Sequence, residues 1–254
     1  PPISLITPAN PGKTKYMNGM IALVGSGEYL PIMETVDRFL LTQSGAPGRI
    51  PRVVCLPTAA GQEGEPSWGR WTRMGEEHFR RLDAQVSALP VIDRASADDP
   101  QYTTVLEAAD LIYFSGGNPL YLFETLNGSR AWESIQKAWT GGAVFAGCSA
   151  GAMILGQEIP NFRAVALTSV HAFGLLPARM IFPHFDRWKM ARAAMLAPLR
   201  HRLQAGEFAL GIDEETALVG RLDSPEWHVM GRQTVSVIKK DGVQVYKSGQ
   251  PVLL

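Results

Sequence analysis

Residues 143–155 read Ala-Val-Phe-Ala-Gly-Cys-Ser-Ala-Gly-Ala-Met-Ile-Leu. Ala143 to Ala146 is a short apolar run of the kind that forms a strand buried on both faces. Gly147-Cys148-Ser149-Ala150-Gly151 follows at once, and an apolar helical stretch opens at Ala150. Strand, sharp turn and helix in that order form the setting in which Gly-x-Ser-x-Gly works as a nucleophile elbow. The glycines let the chain turn tightly and keep space around the serine. Ser149 then projects from the turn, and the backbone N–H of Ala150, at a helix N-terminus, faces a developing oxyanion. Cys148 is chemically the better nucleophile. It stands before the apex, however, where a side chain points back into the sheet, so it reads as a small buried apolar residue.

Working outward, the same alternation recurs. Ile21 to Val24, Val53 to Leu56 and Leu111 to Phe114 are apolar runs, Val86 to Leu89 is a further strand-like stretch, and all are ended by Gly, Pro or Ser. Helical spacing recurs between and after them (Ile32 to Leu41, Met74 to Leu82, Tyr102 to Ala109, Ala131 to Trp139). Strands alternating with helices predict an α/β fold with a mainly parallel sheet and helices on both faces. Toward the C-terminus the runs Ala217 to Gly220, Trp227 to Met230, Val235 to Ile238 and Val243 to Tyr246 are short and separated by tight turns. They predict antiparallel strands closing the sheet edge. Residues 58–71 are rich in Gly, Pro and Glu and read as a long loop, in which Trp68 and Trp71 either line a cleft or pack the loop down. Residues 1–19 read as an extended arm, and 20–254 as one α/β domain.

Composition bounds the function. The 254-residue chain has 24 Lys plus Arg against 24 Asp plus Glu, a formal net charge of zero. That balance gives no electrostatic case for nucleic acid or an anionic membrane. No apolar run reaches the roughly eighteen residues of a membrane span. The two cysteines, Cys55 and Cys148, sit in buried-strand patterns, which suits a reducing compartment, and no signal-peptide pattern opens the chain. A cytoplasmic protein is expected.

The serine needs a base. His184, in Ile181-Phe182-Pro183-His184-Phe185, leaves a strand-like run at the entrance to a polar helix, and His171 is the second candidate. His78, His201 and His228 read as structural or solvated. Ser115-Gly116-Gly117-Asn118 ends another strand, where open α/β sheets bind ligands. Its N–H groups offer a second oxyanion donor, while Asn118 before Pro119 also reads as a helix N-cap. Gly25-Ser26-Gly27-Glu28 fails as a dinucleotide motif, because Leu30 stands where the third glycine belongs. No histidine pair has metal-ligand spacing. No cofactor and no metal are expected.

Gly-Cys-Ser-Ala-Gly-Ala at 147–152, Ser-Gly-Gly-Asn at 115–118, Pro-His-Phe at 183–185 and Gly-Ile-Asp-Glu-Glu-Thr-Ala at 211–217 together resemble the peptidase S51 family, which includes dipeptidase E and cyanophycinase. Gly-Gly-Asn and Pro-His-Phe are closer to dipeptidase E, and the 211–217 run to cyanophycinase. The resemblance implies a class I glutamine amidotransferase-like fold and hydrolysis of a dipeptide or short, acidic peptide or isopeptide through an acyl-enzyme. Ser149 then matches the nucleophile, His184 the catalytic histidine, and Gly117 and Ala150 the oxyanion donors. It also implies a triad acid between serine and histidine, where Glu158 is the sole carboxylate, with Asn161 as a polar substitute. Asn118 and Arg187 are candidate substrate contacts. Arg187, Lys189 and Arg192 also read as a solvated basic helix face. A homodimer is a family-level expectation. Two alternatives stay open: an amidase or esterase on a small non-peptide substrate, and a catalytically weak binding homologue.

Overall fold

A computed structural model describes residues 18–44, 46, 48–161, 168–188 and 192–254. The arm expected over 1–19 therefore falls almost wholly outside the described residues, as does Lys189. The strands, in chain order, are β1 Ile21–Val24, β2 Arg52–Leu56, β3 Gln85–Ala88, β4 Leu111–Phe114, β5 Val144–Cys148, β6 Glu158–Asn161 and β7 Thr168–His171. They continue as β8 Ala178–Phe182, β9 Phe208–Ile212, β10 Thr216–Gly220, β11 Glu226–Gly231, β12 Thr234–Lys239, β13 Val243–Lys247 and β14 Pro251–Leu253.

The first sheet runs β14-β11-β10-β1-β5-β4-β2-β3. β3, β2, β4, β5 and β1 are parallel, and β10, β11 and β14 add an antiparallel edge. Period-two alternation distributes its side chains to two apolar layers. Ile21, Leu23, Val54, Leu56, Ile112, Phe114 and Phe145 enter one, with helices Pro119–Leu126 and Arg130–Thr140. Ala22, Val24, Val53, Cys55, Tyr113, Val144 and Cys148 enter the other, with Val36 and Leu40 of helix Glu34–Thr42 and Phe79 of helix Glu65–Arg81. The expected helix-covered parallel sheet with antiparallel edge strands is present.

A second sheet adds to that architecture, in the order β13-β12-β9-β8-β6-β7. β12 and β13, read from sequence as part of one edge, belong to it. Its inner residues Ile181, Leu210, Ile212, Val235 and Val237 join the apolar layer that holds Ile21 and Phe145. The chain passes from the second sheet to the first over Asp213–Glu215, between β9 and β10, and back over Arg232–Gln233.

The long loop expected over 58–71 is mostly helical, with a 3-10 turn Thr58–Glu63 and then the helix from Glu65. Pro66 stands in the first turn, where the missing N–H costs nothing. Trp68 and Trp71 lie on this helix, and Trp71 packs against the buried layer around Tyr29. His78, read as structural or solvated, is structural: it is 1% exposed and 2.7 Å from Asp37. No helix among the described residues is long and apolar enough to cross a membrane.

Candidate active site

Three strand ends converge where the two sheets meet. β5 ends at Cys148, and Ser149 turns the chain into helix Ala150–Met153 with φ 49° and ψ −104°. That conformation is strained for a residue with a side chain, at a cost of about 1–3 kcal/mol. The flanking glycines make the turn sterically feasible. A Cβ on Gly147 would stand 2.2 Å from the Gly151 carbonyl oxygen, and one on Gly151 would stand 2.7 Å from Phe114 Cβ. The Ser149 N–H donates to the Val24 carbonyl at 2.9 Å, which ties the turn to β1.

His184 follows β8, also at positive φ (51°). Its Nε2 lies 3.1 Å from Ser149 Oγ, so the structure brings these two expected residues together. Its Nδ1 lies 2.9 Å from Glu214 Oε1. Glu158, the carboxylate expected beside this ring, is elsewhere. It receives bonds from Ser169 Oγ, at 2.5 Å, and from Arg179, at 2.6 Å. Burial alone would raise its carboxyl; the Ser169 and Arg179 bonds outweigh that and hold it below the usual carboxylate range.

Glu214 sits at the crossover between the sheets. β8 and β9 are parallel neighbours with Phe182 beside Gly211, so the residues just past each strand, His184 and Glu214, emerge at one edge. The backbone of Glu214 is clamped. Its N–H donates to Asp186 Oδ1 at 2.9 Å, and its carbonyl accepts from Gln233 Nε2 at 3.0 Å and Thr216 Oγ1 at 3.1 Å. Glu214 Oε2 accepts from Arg187 Nε at 2.8 Å. Arg187, a candidate substrate contact, thus has its guanidinium on the carboxylate that faces His184. Burial would raise the Asp186 carboxyl, but the Glu214 N–H and Gln233 hold it low, so it remains an acceptor. The family resemblance points to a carboxylate between serine and histidine in the chain, whereas Glu214 lies beyond the histidine. The signal was present in the acidic run 213–215 immediately after a strand.

The loop after β4 forms the facing wall. A Cβ on Gly116 would lie 3.4 Å from Ser149 Cβ and 3.9 Å from its Oγ, so this backbone abuts the serine. Gly117 has φ 147°, and a side chain there would strike the Ala59 carbonyl at 2.4 Å. The N–H groups of Ser115, Gly116 and Asn118 donate to Leu56 O, Glu28 Oε1 and Ala59 O. Gly117 is an exposed residue whose N–H makes no such bond among the described residues, and the Ala150 N–H, at the first position of its helix, has no intrahelical acceptor. Asn118, expected to touch substrate, uses its Oδ1 to cap helix Pro119–Leu126 through Leu120 and Tyr121, leaving Nδ2 3.5 Å from Gln62.

A hydroxyl on a strand-to-helix turn, an imidazole and a carboxylate in hydrogen-bonded series are the components that nucleophilic acyl transfer requires. They define the class: an α/β protein built like a hydrolase. The chain belongs to peptidase family S51, which matches residues 21–224. It is 31% identical over 193 residues to the uncharacterized peptidase YgaJ of Bacillus subtilis, across 76% of this chain and 77% of that one. It is 26% identical over 223 residues to a cyanophycinase of Trichormus variabilis, across 84% of this chain and 71% of the other. Among solved structures it is similar to a peptidase from an acI-B1 actinobacterium, with 36% identity, a TM-score of 0.84 and coverage of 94% of this chain and 98% of that one.

Proposed function

We propose that this chain is a serine peptidase that cleaves a dipeptide or short peptide through an acyl-enzyme, with Ser149, His184 and Glu214 as its triad. The observation that carries the reading is the continuous series Ser149 Oγ, His184 Nε2, His184 Nδ1 and Glu214 Oε1, with separations of 3.1 and 2.9 Å. Ser149 Oγ attacks the scissile carbonyl carbon while its proton passes to His184 Nε2. The Nδ1–H of the ring donates to Glu214, which selects the tautomer with a free Nε2 and then stabilises the imidazolium. The uncommitted N–H groups of Gly117 and Ala150 are suited to receive the oxyanion of the tetrahedral intermediate. Collapse breaks the C–N bond, and the leaving amine takes the proton from His184. Water then attacks the ester carbonyl, gives its proton to His184 and releases the acid, returning Ser149 to its hydroxyl form.

The peptide substrate is inferred from the S51 membership and from the peptidases and cyanophycinase to which the chain is similar. The test is intact-mass labelling with a fluorophosphonate. Stoichiometric labelling of the wild type, abolished in Ser149→Ala and strongly slowed in His184→Ala, is the expected result, and a dipeptide library then defines the substrate. A folded wild type that takes up no label overturns the reading in favour of a binding homologue. Labelling accompanied by turnover of simple esters and no peptide favours an esterase.

A further inference from the structure

The turn Gly25-Ser26-Gly27-Glu28 carries no dinucleotide motif and takes no part in the acyl-transfer steps, yet it is bonded to the segments that do. The carbonyl of Val24, just before it, accepts from the Ser149 N–H, and the Ser26 carbonyl accepts from the Glu215 N–H at 3.1 Å. Glu28 reaches further. It is 7% exposed, its Oε1 accepts from the Gly116 N–H at 2.8 Å, and its Oε2 accepts from the Cys148 thiol at 3.0 Å. A Cβ on Gly116 would stand 3.0 Å from Glu28 Oε1 on one side and 3.4 Å from Ser149 Cβ on the other. One buried carboxyl group therefore joins the residue before the serine to the residue before Gly117.

This matters because Gly116 and Gly117 are adjacent glycines, whose peptide planes rotate at little steric cost. The Gly117 N–H lies in the plane that begins at Gly116. An acceptor that fixes the Gly116 N–H inward, with Ala59 O fixing that of Asn118, leaves the Gly117 N–H turned to the exposed side. We propose that Glu28 is a positioning residue: by bridging the Gly116 N–H and the Cys148 thiol it holds the Gly117 N–H and Ser149 in the orientation that the tetrahedral intermediate requires. This rests on the acyl-transfer reading of the site.

The experiment measures two quantities on the full chain: the rate and final stoichiometry of fluorophosphonate labelling, and amide exchange at Gly116. Glu28→Ala is expected to slow labelling about 10- to 100-fold, less than the roughly 100- to 1,000-fold that removing an oxyanion donor outright costs, while the final stoichiometry stays that of the wild type. Exchange at Gly116 should quicken about tenfold or more as its bond is lost. Glu28→Gln, which keeps an acceptor for Gly116, should restore most of both. A merely structural role would lower the stoichiometry and leave the rate of the folded fraction unchanged. Glu28→Ala reacting and exchanging like the wild type overturns the proposal, and so does Glu28→Gln being as slow as Glu28→Ala. If Glu28→Ala does not fold, Glu28→Asp, which withdraws the carboxylate by one methylene, replaces it under the same criteria. If the wild type itself takes up no label, acyl transfer fails separately, and Gly116 exchange alone decides whether Glu28 holds the loop.

Discussion

At Glu214 the two carboxylate oxygens have different partners, His184 Nδ1 and Arg187 Nε. In the mechanism proposed above, the first contact orients the imidazole. Glu214→Ala is expected to lower the fluorophosphonate labelling rate about 10²- to 10⁴-fold, the range for losing the group that orients a catalytic imidazole. Glu158→Gln should leave that rate unchanged and cost about 1–2 kcal/mol of stability, since it weakens charged bonds to Arg179 and Ser169. Rates measured on both variants decide between the two carboxylates. Arg187 is 71% exposed, and a pair so open to solvent adds little to stability. Ser149 offers a second test at this scale. Ser149→Ala and Ser149→Gly both lack the hydroxyl, but glycine relieves the conformation at φ 49°. The glycine variant should be the more stable by about 1 kcal/mol in urea unfolding.

At the scale of elements, the site depends on where strands stop and helices begin. Asn118 at the N-cap and Pro119 in the first turn fix the start of helix Pro119–Leu126, and with it the loop that bears Gly117. Asn118→Ala removes the acceptor for two helical N–H groups. It is expected to cost about 1 kcal/mol, read as a lower urea midpoint. These local signals were legible, because capping and turn chemistry act over a few residues. The helix Glu65–Arg81 was only half legible. Its polar N-terminal turns, with Gly64 and Pro66, have the composition of a loop, and tertiary contacts of Trp71, His78 and Phe79 make it a helix.

Across the whole molecule, the layer behind the first sheet gathers ionisable groups that folding keeps neutral. Burial pushes the Cys55 thiol up to about 12 and raises Cys148, Tyr29 and Tyr113 well above their ordinary values. For Cys55 the folded value exceeds the unfolded 9.0. Its contribution to stability is therefore complete below pH 9 and declines from there until the folded thiol itself ionises near pH 12. Urea midpoints should fall across that alkaline window, less steeply in Cys55→Ala. A midpoint independent of pH from 9 to 11 would contradict this. Both thiols should resist a disulfide reagent until the protein unfolds.

Contiguous patterns of period and spacing carry the helix-covered parallel sheet and the turn at 147–151, and they make Ser149 and His184 candidates for the site. Tertiary structure decided three other matters. It divided the C-terminal strands between two sheets, since short alternating strands do not state which neighbour they pair with. It set Glu214 beside His184, through the parallel register of β8 and β9. It placed Glu28, 88 positions before Gly116 and 120 before Cys148, between both. Contacts across strands follow register and topology, and distance along the chain does not record them.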